Sequence, residues 1–190
     1  VDTDWDLGIG DAMAIWFTQS LRSGEVRVID YYEASGEGFP FYADVLAKRG
    51  YVYGTHWAPH DIAVKELGTG QSRLTVARSY GITFRPVPRL VQGRPGQEVE
   101  EGIHAARMLL PRCYFDKEKT SVGLEALQHY RRDYNERLNE FKATPVHDWS
   151  SHAADAFRGL AVRHQLPKIQ REINRSAYVS SSGVGAFQGI

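Results

Sequence analysis

The sequence predicts an α/β domain built on one mixed β-sheet, with an antiparallel meander first and helices covering the faces. Three observations carry that expectation. Strand-like segments separated by glycine and serine breaks crowd the first third of the chain, and shorter strands then alternate with helical segments. A chain of 190 residues, 42% hydrophobic and 12% aromatic, is also long enough to bury roughly 70% of the surface its unfolded form exposes.

The elements follow in order. Val1 to Asp6 alternates, Ala12 to Gln19 holds the apolar run Ala-Met-Ala-Ile-Trp-Phe, and Glu25 to Glu33 is rich in Val, Ile and Tyr. Gly8, Gly10, Ser23 and Gly24 stand at the breaks, which makes the three segments a meander. Phe41, Val45 and Leu46 recur at helical spacing within Pro40 to Arg49, and Tyr51 to Trp57 reads as a strand that Pro59 ends. Leu74 to Tyr80 is a short helix closed by Gly81, and Ile82 to Val87 is a strand. Glu98 to Leu110 is a helix with Val99, Ile103, Ala106 and Leu110 on one face. Tyr114-Phe115 is a short strand before a long polar helix from about Val122 to Lys142. A last helix from about Ser150 to His164 stops before Pro167. Residues 168–190 lose periodicity and are expected to form a flexible C-terminal tail or a partner-binding segment behind a single domain of residues 1–167. The chain opens without methionine on a strand, so missing upstream parts are expected.

Composition excludes several classes. Cys113 is the single cysteine, which rules out an internal disulfide framework and fits a reducing compartment. No apolar run approaches the ~18 residues of a membrane span, and the first residues carry no basic and apolar leader. With 23 basic and 23 acidic residues, nucleic-acid binding cannot be argued from net charge and must rest on local residues. Trp16, Phe17, Tyr31, Tyr32 and Cys113 read as core.

The carboxylates are the chemical signal. On a strand, Asp2, Asp4 and Asp6 point to one face. A solvated edge strand accounts for that as readily as a site does. Asp61 follows Pro59 at a strand's C-terminal end, where α/β proteins build sites. Asp155 lies among Ala153, Ala154 and Ala156, small residues that let a helix approach a sheet; taken alone, it could equally be a charge near a helix start. Taken together, a first-strand aspartate, Asp61 and Asp155 make sense as oxygen ligands of Mg²⁺ or Mn²⁺, and two such ions hydrolyse phosphodiesters.

Thr3-Asp4-Trp5-Asp6-Leu7-Gly8-Ile9-Gly10-Asp11-Ala12-Met13-Ala14-Ile15-Trp16-Phe17, Pro59-His60-Asp61 and His147-Asp148-Trp149-Ser150-Ser151-His152-Ala153-Ala154-Asp155-Ala156-Phe157-Arg158 together resemble the nuclease domain of tailed-phage terminase large subunits. The resemblance spans roughly residues 3–165 and rests on the order of the motifs. It implies a ribonuclease H-like fold and a two-metal endonuclease that cuts concatemeric viral DNA during genome packaging, with Asp6, Asp61 and Asp155 as catalytic metal ligands. It also implies an N-terminal ATPase motor absent from this chain, portal and small-subunit partners, and a place in the host cell cytoplasm. Asp148 is a further candidate metal ligand or hydrogen-bond partner, while Asp4 and Asp11 are less securely placed. Gly68-Thr69-Gly70-Gln71-Ser72 fails the phosphate-loop pattern, so no ATP binding is expected here; Gly68 and Gly70 suit either a phosphate approach or a plain loop.

Lys65, Arg73, Arg78, Arg85, Arg89 and Arg94 follow Asp61 and are the candidate DNA-phosphate contacts, though at least half would simply solvate the surface. His60 orients a ligand or serves as an ordinary surface histidine. Three other readings compete. A resolvase- or transposase-type nuclease shares the carboxylate chemistry. His60-Asp61 and His147-Asp148, with His56 and His152, resemble the ligand set of all-helical His-Asp phosphohydrolases. A non-catalytic module docking on a portal through the tail is the third.

Overall fold

The computed structural model describes residues 1–8, 12–65, 70–88, 97–142 and 144–165. Alternation in the first strand decides how the layers form. β1 (Asp2–Asp6) pairs antiparallel with β2 (Ala12–Ser20), and β2 with β3 (Val26–Ser35), which is the expected meander. β4 (His56–Ala58) runs parallel to β1 on its other side, β5 (Phe84–Pro86) parallel to β4, and β6 (Cys113–Phe115) parallel to β3. The six-stranded order is β5-β4-β1-β2-β3-β6, which makes β1 a central strand. Cross-strand partners share a face, so the rows Asp4–Trp16–Tyr31 and Asp6–Ala14–Glu33 define one side, and Trp5–Ile15–Tyr32 the other.

Each face carries its own core. Trp5, Ile15 and Phe17 pack with Tyr42 and Leu46 of α1 (Phe39–Arg49) and Ala77 of α2 (Arg73–Ser79). On the acidic face, Ala14, Trp16 and Tyr31 meet Leu109 of α3 (Gln97–Leu109) and Ala126 of α4 (Ser121–His129). They also meet Ala153, Ala156, Phe157 and Leu160 of α5, residues 151–165. Small residues make this approach close. A Cβ on Gly123 of α4 would collide with the Trp16 ring and stand 2.8 Å from Tyr31 Cδ2. Trp16 Nε1 donates to the Ala153 carbonyl at 2.8 Å, fastening β2 to α5. Trp16, Phe17 and Tyr31 are buried as expected, while Tyr32 and Cys113 are half-buried against the cores.

Two expected elements are different. The strand expected over Tyr51–Trp57 is confined to His56–Ala58; the residues before it still bond to the chain start, with Gly54 N donating to the Val1 carbonyl at 2.9 Å and Thr3 N to the Thr55 carbonyl at 3.0 Å, while Asp2 Oδ1 takes the Thr55 amide at 2.9 Å. The helix expected over Val122–Lys142 ends at His129, and β7 (Tyr134–Asn135) and β8 (Glu140–Phe141) form a hairpin instead. Asn135 Oδ1 accepts from the Arg137 and Leu138 amides at 3.1 and 3.3 Å, and Asn139 adopts φ 53°, a conformation asparagine tolerates in turns. The tail 168–190, with Asp11, Gly68, Arg89 and Arg94, lies outside the described residues. Among the described residues, no helix is long and apolar enough to cross a membrane.

Candidate active site

Because β1 and β4 are parallel neighbours, their C-terminal ends open at the same sheet edge. Asp6 is the last residue of β1. Pro59 ends β4 and starts a 3₁₀ turn (His60–Ala63) that carries Asp61, exposed, to that edge, with Ile62 buried beneath as the anchor. α5 crosses the acidic face and supplies Asp155. The three aspartates line one cleft of about 300 Å³ together with Trp5, His60, Glu98, Gly102 and Arg158.

α5 is held at both ends. At its start Asp148 Oδ1 accepts from the Ser150 amide at 2.9 Å and the Ser150 hydroxyl at 2.6 Å, and Arg131 donates to Oδ2 at 2.9 Å. These bonds hold the Asp148 carboxyl below its ordinary range, the Ser150 bonds most of all. That carboxylate holds the turn that leads into α5 and does not line the cleft. Further along, Arg163 Nε and Nη2 donate to the two oxygens of Asp4 at 2.6 and 3.0 Å, and Nη2 also reaches Thr18 Oγ1 at 3.0 Å. Asp4 is 1% exposed and Arg163 7%, so the solvated edge-strand reading is wrong for Asp4: its strand is central and its charge is matched by a buried guanidinium.

Between these fastenings, the Asp6 carboxyl is pushed up to about 6, first by burial and then by the Asp155 charge; a His152 hydrogen bond and the charges of His152 and Arg158 oppose the rise. His152 Nδ1 lies 3.3 Å from Asp6 Oδ2. Arg158 Nε donates to Asp155 Oδ1 at 3.1 Å, and a terminal nitrogen of the same guanidinium bonds the same oxygen. The donor set, all carboxylate oxygen with two like charges interacting across a partly desolvated cleft, has the chemistry of a hard divalent-cation site. Among the described residues no group of three or more such donors is drawn together closely enough to hold one ion, and Asp155 is paired with Arg158 instead.

The expected basic contacts divide. Lys65, Arg78 and Arg85 are exposed, Arg85 lying over the Trp57 ring at 5.0 Å. Arg73 is half-buried and donates to the Leu7 carbonyl at 3.2 Å, bracing the residue after Asp6. His56 belongs to the opposite core, bonded to Thr3 Oγ1 at 2.7 Å and packed edge-on to Trp5. The six-stranded sheet overturns the all-helical His-Asp alternative. Sequence reading missed Arg163, Glu98 and the part played by Arg158; the signal for Arg163 was its helical spacing, eight residues beyond Asp155 on the face that also carries His152.

The topology, a meander continued by parallel strands with an acidic residue ending the central strand, is that of the ribonuclease H-like fold. No protein-family model and no curated protein matches the chain in sequence. Among solved structures it is similar to the large terminase of the thermophilic bacteriophage D6E in complex with ADP, at 15% identity and a TM-score of 0.61, covering 84% of this chain and 38% of that one. It is also similar to the P22 large terminase nuclease domain, at 18% identity and a TM-score of 0.60, covering 83% of this chain and 77% of that one. The large terminase nuclease domain of bacteriophage SPP1 with bound Mn matches at 15% identity and a TM-score of 0.57, covering 83% of this chain and 82% of that one. The chain has the large-terminase nuclease-domain fold, and it spans less than two fifths of the D6E protein.

Proposed function

We propose that this domain is a divalent-metal-dependent DNA endonuclease of a terminase large subunit, cutting concatemeric viral DNA during packaging. The observation that carries the reading is the meeting of Asp6, Asp61 and Asp155, from a strand end, a turn and a helix, in one cleft. Those three residues would hold two Mg²⁺ or Mn²⁺ ions, which when bound supply activation of water and neutralisation of the phosphodiester charge. The chain's own residues do the rest. His152 orients the Asp6 carboxylate, the Asp4–Arg163 pair fixes the register of α5 against β1, and Arg73 steadies the end of β1. Lys65, Arg78 and Arg85, joined by Arg89, would contact phosphates without reading sequence, which makes binding salt-sensitive. The substrate is double-stranded viral DNA in the host cytoplasm, delivered by an ATPase motor, with portal and small subunit as partners. A resolvase- or transposase-type enzyme shares this chemistry; the fold likeness to terminase nuclease domains favours the terminase. The test is cleavage of supercoiled plasmid by wild type and Asp61→Ala in Mg²⁺ or Mn²⁺, with and without chelator. Metal-dependent cutting by wild type alone, with both proteins folded, is expected; wild type that leaves plasmid intact in both metals overturns the reading.

A further inference from the structure

Arg158 occupies an unusual place for a helix arginine. It lies three residues after Asp155 on α5, lines the cleft, and turns its guanidinium onto the Asp155 carboxylate. The pair is shielded, with the arginine side chain 18% exposed and the aspartate 31%, which sets it apart from ordinary solvated surface pairs. Its stem is confined by α3. A Cβ on Gly102 would stand 3.2 Å from Arg158 Cδ and 3.3 Å from its Cβ, so the glycine lets the stem lie close against α3. The head group is thus delivered to one oxygen of a residue assigned to metal binding. Its charge also reaches Asp6, countering a small part of the repulsion from Asp155.

We infer that Arg158 is an internal counter-ion that competes with divalent cations for Asp155 and gives that carboxylate up when a DNA phosphate arrives. This rests on the nuclease reading above. A guanidinium bonded to a carboxylate oxygen removes part of that oxygen's donor capacity and repels an incoming cation. It is also the side chain best matched to a phosphate, through paired N–H donors. DNA drawing Arg158 away therefore frees Asp155, and metal and DNA bind with positive, reciprocal coupling. The cleft is consequently weak for metal until DNA is present, which restrains loading in the absence of substrate.

Calorimetric titration of Mn²⁺ into wild type, Arg158→Gln and the charge-retaining Arg158→Lys tests this, alone and with a hydrolysis-resistant phosphorothioate duplex. Thermal melting establishes that each is folded. Without DNA, Arg158→Gln should bind Mn²⁺ tighter by about fivefold or more, while Arg158→Lys stays near wild type. The duplex should tighten Mn²⁺ binding to wild type far more than to Arg158→Gln. Equal or weaker Mn²⁺ binding by a folded Arg158→Gln overturns the counter-ion role and leaves the nuclease reading standing. No saturable Mn²⁺ binding by either folded protein, with or without the duplex, overturns the metal site itself.

Discussion

Asp6→Asn should stabilise the metal-free protein while removing the proposed nuclease activity. Burial and the Asp155 charge push the Asp6 carboxyl from 3.8 to about 6, so at neutral pH the folded chain holds an ionised group in a place that disfavours it. At 1.36 kcal/mol per pKa unit, that shift of about two units sets a ceiling near 3 kcal/mol. The side chain is 21% exposed, so solvent screens part of the effect, and a gain of about 1–2 kcal/mol is expected. For a chain of this size that raises the melting temperature by roughly 3–6 °C. The sign follows from linkage: a carboxyl with a raised folded-state pKa holds its proton better in the folded form. Wild type therefore loses stability relative to the variant as pH rises from about 4 through about 6, and the gap is constant above. Differential scanning calorimetry in chelator across that range reads it directly. A variant no more stable than wild type at neutral pH, or a gap independent of pH, refutes the reasoning.

Other expectations concern the frame of the site. Arg163→Met strands the buried Asp4 carboxylate and should cost about 3–5 kcal/mol in urea unfolding, with much of the loss recovered when Asp4→Leu is added; a loss below about 1 kcal/mol shows the pair is not matched in solution. Gly123→Ala drives a methyl into Trp16 and Tyr31 and should cost about 1–3 kcal/mol with a changed near-ultraviolet dichroism of the tryptophan, and an unchanged spectrum argues against that packing. Asp148→Ala removes the hydrogen bonds that hold the turn into α5 and should lower stability by about 1 kcal/mol while the proposed metal-dependent plasmid cleavage persists; abolished cleavage in the folded variant would restore it as a ligand.

What could be read in the sequence was what local chemistry encodes. The meander was legible because apolar runs are broken by glycines, and Asp61 because Pro59 ends a strand just before it. Asp6 and Asp155 announced themselves as charges beside apolar or small residues that must pack. The failures were tertiary or turn-specific. Asp4 and Arg163 are 159 residues apart, and nothing near either one signals that each neutralises the other. The hairpin after α4 was hidden because Tyr134–Lys142 has helix-compatible composition, and its turn depends on how two asparagines bond. Tyr51–Thr55 has strand composition but gives its bonds to Asp2 and the chain start.

The placement of the three aspartates makes the cleft mechanically uneven. Asp6 ends a strand laddered on both sides, and Asp155 rides a helix fastened at its start and again near its end, so these two form a stiff jaw. Asp61 rides a four-residue turn after a three-residue strand, held mainly by Ile62 beneath it. Opening that turn withdraws Ile62 from its core but breaks no sheet ladder, so the amides of His60–Ala63 should exchange with solvent before those of β1. Anything pressing on the turn, whether substrate, a neighbouring domain or heat, adjusts the soft jaw while the stiff one holds its position. The spacing of Asp61 from the other two can then change without any part of the sheet having to move.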